Sequence, residues 1–240
     1  PNPSPMSSVL HLAKREDYLR HDVITEGETL LVLNHAHPAL ADRRVRRALS
    51  HAVDRKGLLA IYPSSPPALI GSHFSPRHPA YIDLSDRYPH DPERARELLA
   101  EAGYEQGLEL TFKVPPPLYA QQASLHIADD LEAVGIRLYV ERVGWTQWLS
   151  EVFRSTDYDL TLIAHVEPFD LDIYAREAYY FNYHSTTFNQ LWSAIERETE
   201  EARRHELLQD AQRYLAEEAV HVFLHMRPQQ SIRKAGLKGF

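Results

Sequence analysis

Alternation of apolar, strand-length runs with helical segments most constrains the fold of this chain. Past residue 107, short apolar runs with the length of buried strands alternate with segments of helical periodicity. The predicted strands are Leu108–Val114, Ile136–Arg142, Tyr158–Ala164 and Val220–His225, and the predicted helices are Tyr119–Val134, Trp145–Arg154, Phe188–Glu198 and Ala202–Ala216. Such alternation predicts an α/β domain with a mixed, mostly parallel sheet flanked by helices.

Helix-capping residues indicate where helices begin and end in the first hundred residues. Leu30–Asn34 has the length and apolar character of a buried strand. Asp42, Asp54 and Asp91 each precede a predicted helix, where a carboxylate can accept free backbone N–H groups. Gly103 is a helix stop. Between them, the proline-rich residues 62–90 predict a long irregular loop.

Charge and composition exclude several functions. The 240 residues carry a formal net charge of −8, so we expect no nucleic-acid partner, which would need a clustered basic surface. The arginine-rich residues 43–47 are interpreted as the solvated face of an amphipathic helix. The absence of cysteine excludes a thiol nucleophile, a disulfide scaffold and an iron–sulfur cluster.

No sequence motif for catalysis or metal binding is present. The chain lacks a His-Glu-x-x-His pattern, a Gly-x-Ser-x-Gly elbow and a glycine-rich phosphate loop. His35 and His37 lie in a predicted turn without a carboxylate at ligand spacing. We therefore predict no catalytic residue, no metal and no cofactor.

The segment 165–183 is the richest in binding chemistry. It follows the carboxyl end of a predicted strand, the side of a parallel sheet on which ligands bind. Its carboxylates can pair with a ligand ammonium group, and its tyrosines, Tyr174 among them, offer flat contact area with a polar tip. The alternative is a loop whose aromatic side chains only cover the sheet edge.

Three ordered motifs resemble the peptide/nickel class (family 5) of bacterial extracellular solute-binding proteins, which includes the dipeptide- and oligopeptide-binding proteins. They are residues 34–55 with Asp42 and the arginine-rich helix start, Tyr88–Tyr104 with its Asp-Pro-Glu and Glu-Ala-Gly-Tyr, and Asp130–Ile136 followed by Trp145 and Asp157–Asp159. The resemblance extends from about residue 30 to the end.

This resemblance implies a type II periplasmic binding protein fold, in which two lobes enclose the ligand. Since family members are roughly twice as long, residues 29–228 would be the C-terminal ligand-binding lobe. Residues 1–28 would lead in from a missing N-terminal lobe and residues 229–240 would return toward it. An excised lobe also accounts for the lack of an export signal in residues 1–22.

The implied function is that of the substrate-binding component of an ABC transporter that imports peptides or a related small solute, without catalysis. Its partners would be the peptide or small-molecule ligand, the membrane permease and the N-terminal lobe, in the periplasm or another extracytoplasmic location. Two alternatives stay open: a metal- or carboxylate-dependent hydrolase that uses the acids of residues 165–172, and a stand-alone interaction domain.

The resemblance also suggests binding residues. In dipeptide-binding relatives, an aspartate after the Asp-Tyr-Asp strand holds the ligand's α-ammonium group. Glu167 occupies that place here, Asp170 is the alternative, and His165 or Ala164 replaces a family tryptophan.

This sequence has no match for the family residue that binds the carboxylate end of the ligand. The arginine that binds a dipeptide's carboxylate would fall near residues 114–116, where there is none, and Lys113 is the nearest cation. Trp145 matches a family tryptophan and is expected to line the cleft.

Overall fold

A five-stranded sheet forms the centre of the protein. The computed structural model describes residues 15–62, 67–167 and 169–238. The strands are β1 (Tyr18–Leu33), β2 (Leu108–Val114), β3 (Ile136–Arg142), β4 (Leu160–His165) and β5 (Val222–Lys234). They lie side by side in the order β3-β2-β4-β1-β5. β2 pairs in parallel with β3 and β4, whereas β1 pairs antiparallel with β4 and β5.

Helices flank this sheet. They are α1 (Pro38–Ala41), α2 (Arg43–Ala52), α3 (Arg55–Leu58), α4 (Pro92–Glu101), α5 (Leu118–Glu132), α6 (Trp145–Gln147), α7 (Thr186–Arg197) and α8 (Glu201–Glu217). A π-helical segment, Trp148–Arg154, continues α6, and short 3-10 turns form at Leu59–Ile61 and Leu171–Tyr174. In the part of the chain that the structure describes, no helix is long and apolar enough to cross a membrane.

The predicted α/β class with a mixed sheet is confirmed, and so are the predicted helix starts. Asp42, Asp54 and Asp91 each accept a hydrogen bond from a backbone N–H two or three residues ahead, at 2.8 or 2.9 Å. Gly103 follows α4 with a φ of 88°, a left-handed conformation that glycine adopts at little cost. The antiparallel share of the sheet is larger than the mostly parallel arrangement that we predicted.

The difference arises because β1 is antiparallel to both of its neighbours, and β1 and β5 are also longer than the sequence suggested. β1 begins at Tyr18 and β5 ends at Lys234, and their polar ends pair with each other. Such residues carry no apolar alternation, but their backbones still form a ladder. The predicted domain boundaries near residues 28 and 229 fall inside these two strands and stay predictions. Residues 1–14, 239 and 240 of the predicted end segments lie outside the described residues.

Two apolar cores pack on opposite faces of the sheet, because successive side chains of a strand point to opposite sides. Leu31 and Leu33 of β1 face a core built with α2, α4 and α5, and we call this side the helical face. Leu30 and Val32 face a core rich in buried aromatic side chains from residues 171–188, which we call the aromatic face.

Arg46 is buried, contrary to the interpretation of residues 43–47 as a solvated face. It is only 3% exposed, and its guanidinium donates hydrogen bonds to the carbonyls of Leu40 and Ala41 and to those of Glu218 and Ala219 after α8. A guanidinium offers five N–H donors, so one side chain can satisfy several free carbonyls at helix ends.

Arg55 ties the long proline-rich loop to the sheet in the same way. Its guanidinium donates to the carbonyls of Ile70, Ser85 and Tyr88 of the loop and to that of Phe223 in β5, at 2.5 to 3.2 Å. The described part of the predicted loop is therefore packed onto the sheet.

We expect Arg55→Met to lower the free energy of unfolding by about 3 kcal/mol, because it leaves buried carbonyls without a charged donor. Urea unfolding followed by circular dichroism measures this change. The matched control is Arg94→Met on the exposed side of α4, where Arg94 pairs with Glu97, and there we expect a change within about 0.5 kcal/mol. Equal effects of the two substitutions would contradict this role of Arg55.

Candidate ligand-binding site

The carboxyl end of β4 and the middle of β1 meet at one edge of the sheet. Antiparallel pairing places Glu28 of β1 opposite His165, the last residue of β4, and Glu28 also pairs with Met226 of β5. A 3-10 turn that begins at Leu171 follows β4 along the chain. Segments far apart in sequence therefore contribute side chains to the same edge.

Asp170 is the centre of a hydrogen-bond network at this edge. Nε2 of His73, from the long loop, lies 2.7 Å from Oδ1 of Asp170, and Nδ1 of His165 lies 3.5 Å from Oδ2. Nε2 of His165 is in turn 2.9 Å from the hydroxyl of Tyr180. Both imidazoles are buried, so this carboxylate is held in one orientation.

A second layer lies beneath these residues. The hydroxyl of Tyr174 is 3.1 Å from Nδ1 of His73, and Oε2 of Glu28 is 3.2 Å from the same nitrogen. The geometry of the Glu28 contact does not make a hydrogen bond, and within the described residues Oε2 has no hydrogen-bond partner although it is buried. Glu28 is thus a buried carboxyl with one poorly satisfied oxygen.

Burial and hydrogen bonding shift the pKa values of Glu28 and Asp170 in opposite directions. Burial raises the pKa of Glu28 well above its usual value, and the negative charges of Asp170 and Glu26 add to the shift. Burial would also raise the pKa of Asp170, but hydrogen bonds from His165 and His73 outweigh it and lower that pKa. The edge therefore pairs a carboxyl whose neutral form is favoured, Glu28, with one whose ionised form is favoured, Asp170.

His73 remains neutral in this network. Burial lowers its pKa, and the hydrogen bond and charge of Asp170 compensate only in part. A neutral imidazole that donates Nε2–H to Asp170 accepts at Nδ1 from the Tyr174 hydroxyl. Asp170 consequently keeps a net negative charge at the surface of the site.

An open cleft of about 370 Å³ lies over the network on the aromatic face. Its walls combine aromatic and aliphatic side chains with a few polar groups. The lining residues include Trp148, Phe153, Ile163, Tyr179, Tyr180, His165, Glu167, Asp170 and Arg176. Small-molecule sites share this composition: an apolar wall fills the contact area, and few polar groups fix orientation.

The structure brings together three of the six predicted binding residues. His165, Glu167 and Asp170 all line the cleft. Tyr174 is 1% exposed and lies beneath the cleft, where it holds His73 rather than facing a ligand. Trp145 is 46% exposed and contacts Trp148 edge to face at 5.9 Å, next to the lining residues.

Lys113 is not among the residues that line this cleft. Its ammonium group is buried between the carboxylates of Glu151 at 2.8 Å and Asp157 at 3.2 Å. Burial lowers the pKa of Lys113, but the hydrogen bonds to Glu151 and Asp157 outweigh it and the net shift is upward. A lysine already held by two carboxylates is a poor anchor for the carboxylate of a ligand.

Three members of the network were missed in the sequence. His73 lies in the proline-rich loop, Glu28 lies in the predicted lead-in, and Tyr180 is a tyrosine of residues 165–183 that the sequence does not distinguish from its aromatic neighbours. One signal for Glu28 was available: it lies two residues before the apolar run that starts at Leu30, so it faces the same side of the strand as Leu30, where a charged residue is seldom buried without a partner.

The same three cleft residues could hold a cation. One ligand atom from each of His165, Glu167 and Asp170 lies within 4.8 Å of the others, and among the described residues this is the one group of three with that geometry. Carboxylate oxygens suit an ammonium group through charge-assisted hydrogen bonds, and they also suit a metal ion together with an imidazole.

The family model of the bacterial extracellular solute-binding proteins, family 5, matches residues 2–187. The chain belongs to this family. The resemblance to the peptide/nickel class is thereby confirmed. Di/tripeptide-binding protein 1 of Pseudomonas aeruginosa is 25% identical over 220 residues, which are 85% of this chain and 41% of that protein. Heme-binding protein A of Haemophilus influenzae is 39% identical over 84 residues, 32% of this chain and 14% of that protein.

Solved structures share the fold. The oligopeptide-binding protein AppA from Bacillus subtilis, in complex with a nonapeptide, superposes with a TM-score of 0.87 at 16% identity, covering 98% of this chain and 52% of AppA. AgaA from Agrobacterium tumefaciens R10, in complex with agropinic acid, gives 0.84 at 22% identity, covering 98% of this chain and 50% of AgaA. The chain thus spans about half the length of these binding proteins.

We expect Glu28→Gln to raise the free energy of unfolding at pH 7 and to change it little at pH 4. The folded-state pKa lies above the unfolded value of 4.5, so Glu28 costs stability increasingly as the pH rises past that value. Urea unfolding at several pH values tests this. Glu105→Gln, at an exposed position, is the control. A stability difference independent of pH would show that Glu28 is not a buried, neutral carboxyl.

Proposed function

We propose that this chain is the C-terminal lobe of the substrate-binding component of an ABC importer for peptides or related small solutes. The ligand would lie between the cleft of this lobe and a second lobe, with its amino group at Asp170 and Glu167. One observation carries the proposal: an oriented, ionised carboxylate at the floor of an aromatic cleft, at the edge of the sheet.

The chemistry of Asp170 supports an ammonium ligand. A carboxylate accepts hydrogen bonds at about four lone-pair positions, and His73 and His165 use two of them. The remaining positions and the exposed carboxylate of Glu167 can accept the N–H groups of an ammonium. The aromatic wall beside them would take the apolar part of the first residue of a peptide.

The same geometry supports binding rather than catalysis. Asp170 is held ionised by its imidazole partners, and a carboxylate with a lowered pKa is a weak general base. The family is one of solute-binding proteins, and the similar structures carry binding-protein names. Capture would proceed by closure of two lobes around the solute, a hinge motion without a chemical step.

A receptor of this kind delivers its solute to a membrane permease. Family 5 is a family of extracellular proteins. We infer a periplasmic or other extracytoplasmic location for this chain, with the permease and an N-terminal lobe as partners. No nucleic-acid partner is proposed.

In the full-length protein that contains this chain, we expect Asp170→Asn to weaken the binding of a di- or tripeptide with a free amino terminus by about 10–100-fold. This is the loss expected when one charge-assisted hydrogen bond is removed. Isothermal titration calorimetry with Leu-Ala and Leu-Leu-Ala measures it. N-acetylated versions of these peptides should bind weakly to both proteins, because they carry no ammonium group.

The matched control is Asp172→Asn, two residues away, where Asp172 forms an ion pair with Arg176 outside the network. It should leave the affinity within about threefold. Glu167→Gln repeats the test at a residue that does not support the buried network. Unchanged affinity in both Asp170→Asn and Glu167→Gln would refute the ammonium site, and hydrolysis of the peptides by the wild-type protein would refute a pure binding function.

A further inference from the structure

Strand β3 is an edge strand with one free side. It is the first strand in the order β3-β2-β4-β1-β5, and within the described residues it pairs with β2 alone. β1 and β5 lie at the other side of the sheet. The free side of an edge strand presents N–H and C=O groups that can form a ladder with another strand.

The hydrogen bonds to β2 show which backbone groups of β3 are free. The N–H of Leu108 donates to the carbonyl of Gly135, and the N–H of Val143 donates to the carbonyl of Val114. Backbone groups of successive residues in a strand point alternately to its two sides, so the odd-numbered residues of β3 face β2. The N–H and C=O groups of the even-numbered residues therefore point away from the sheet. These residues are Ile136, Leu138, Val140 and Arg142.

β3 has few of the features by which edge strands avoid pairing with other chains. It contains no proline and no glycine, and its register with β2 is continuous from Ile136 to Arg142, without a bulge. Tyr139 is 51% exposed and Val140 is 38% exposed, and the two point to opposite faces of the sheet. The edge is thus a regular strand of seven residues with exposed apolar area on both faces.

Two opposite charges lie symmetrically about Tyr139. Arg137 is two residues before it and Glu141 is two residues after it, and both are exposed. Ile136 belongs to the core on the helical face, so strand alternation places these three side chains on the aromatic face. Arg137 forms a solvent-exposed ion pair with Glu109 of β2, at 3.5 Å. An exposed pair of this kind contributes little, so Arg137 can pair with a second carboxylate at small cost.

We propose that β3 pairs antiparallel with β3 of a second copy of this chain, about a two-fold axis at Tyr139. In this register, Arg137 of each copy lies directly opposite Glu141 of the other, and the two Tyr139 side chains are neighbours. Opposite charges at facing positions stabilise a strand pair. The even-numbered residues, whose backbone groups are free, would face each other as hydrogen-bonded pairs.

The two neighbouring registers fit less well. A two-fold axis at Leu138 would place Tyr139 opposite Arg137, and an axis at Val140 would place Tyr139 opposite Glu141. Either shift removes both charge pairs and shortens the ladder. The axis at Tyr139 is the one that combines the full length of β3 with facing opposite charges.

The pairing goes beyond the proposed function, because it does not depend on which solute is bound. The two-fold axis would be perpendicular to the sheet, so one continuous sheet would carry both aromatic faces, and both clefts, on the same side. A single strand pair buries less than the roughly 1,200–2,000 Å² of a stable interface. We therefore expect a reversible dimer with a dissociation constant of about 10–100 µM.

Analytical ultracentrifugation of the full-length protein over a concentration series tests the association. Glu141→Arg should weaken the dimer at least about tenfold, because like charges then face each other. Combining it with Arg137→Glu should restore the dimer, because opposite charges face each other again. Arg203→Glu is the matched control on the exposed surface of α8, where Arg203 pairs with Glu206, and it should leave the dissociation constant unchanged.

Cross-linking tests the register. The 240 residues contain no cysteine. At the two-fold axis, the Cα atoms of the two copies of Tyr139 would be about 4.5 Å apart, within the range that a disulfide spans. Tyr139→Cys should therefore give a disulfide-linked dimer on a non-reducing gel after mild oxidation. Arg142→Cys is the control, because its two copies would be about 20 Å apart along the strands and should not cross-link.

Three results would overturn the proposal. One is a full-length protein that stays monomeric up to about 1 mM. Another is a dimer that Glu141→Arg does not weaken or that the double substitution does not restore. The third is equal cross-linking of the two cysteine variants. Circular dichroism of each variant shows that it is folded, so that a lost dimer is not mistaken for a lost fold.

Discussion

The pairing of β1 with β4 on one side and β5 on the other is the constraint on which the binding edge depends. The parallel pairing of β2 with β3 and β4 is what strand–helix alternation predicts, but β1 is antiparallel to β4. This direction brings Glu28 of β1 beside the end of β4 and beside Met226 of β5. Segments around residues 28, 165 and 226 thus form one edge.

Much of the fold could be predicted because its signals are local. The helix caps Asp42, Asp54 and Asp91, the glycine stop at residue 103 and the apolar strand cores depend on neighbours within a few residues. The full lengths of β1 and β5 could not be predicted, since their polar ends are stabilised by backbone pairing with each other. The burial of Arg46 was missed for a related reason: its carbonyl partners near residues 218 and 219 are distant in sequence.

The candidate site also combines residues that are close in sequence, which could be predicted, with residues that are distant in sequence, which could not. His165, Glu167 and Asp170 lie within six residues at the end of one strand, so sequence position alone placed them together. His73 orients Asp170 from a loop almost a hundred residues away, and nothing local marks it. Lys113 was a wrong choice for the opposite reason. Its position in the sequence suggested that it binds an anionic group of the ligand, but in the folded protein its charge is paired with Glu151 and Asp157.

The alternation of Glu28 and Thr29 on opposite faces of β1 has an evolutionary consequence. One inserted or deleted residue in this stretch would reverse which side chain faces the aromatic cleft and would disturb both neighbouring strands together. Relatives that diverge in their solutes are therefore expected to keep the length of β1 fixed. They would change by substitution at the edge, or by altered length between the end of β4 and the 3-10 turn at Leu171.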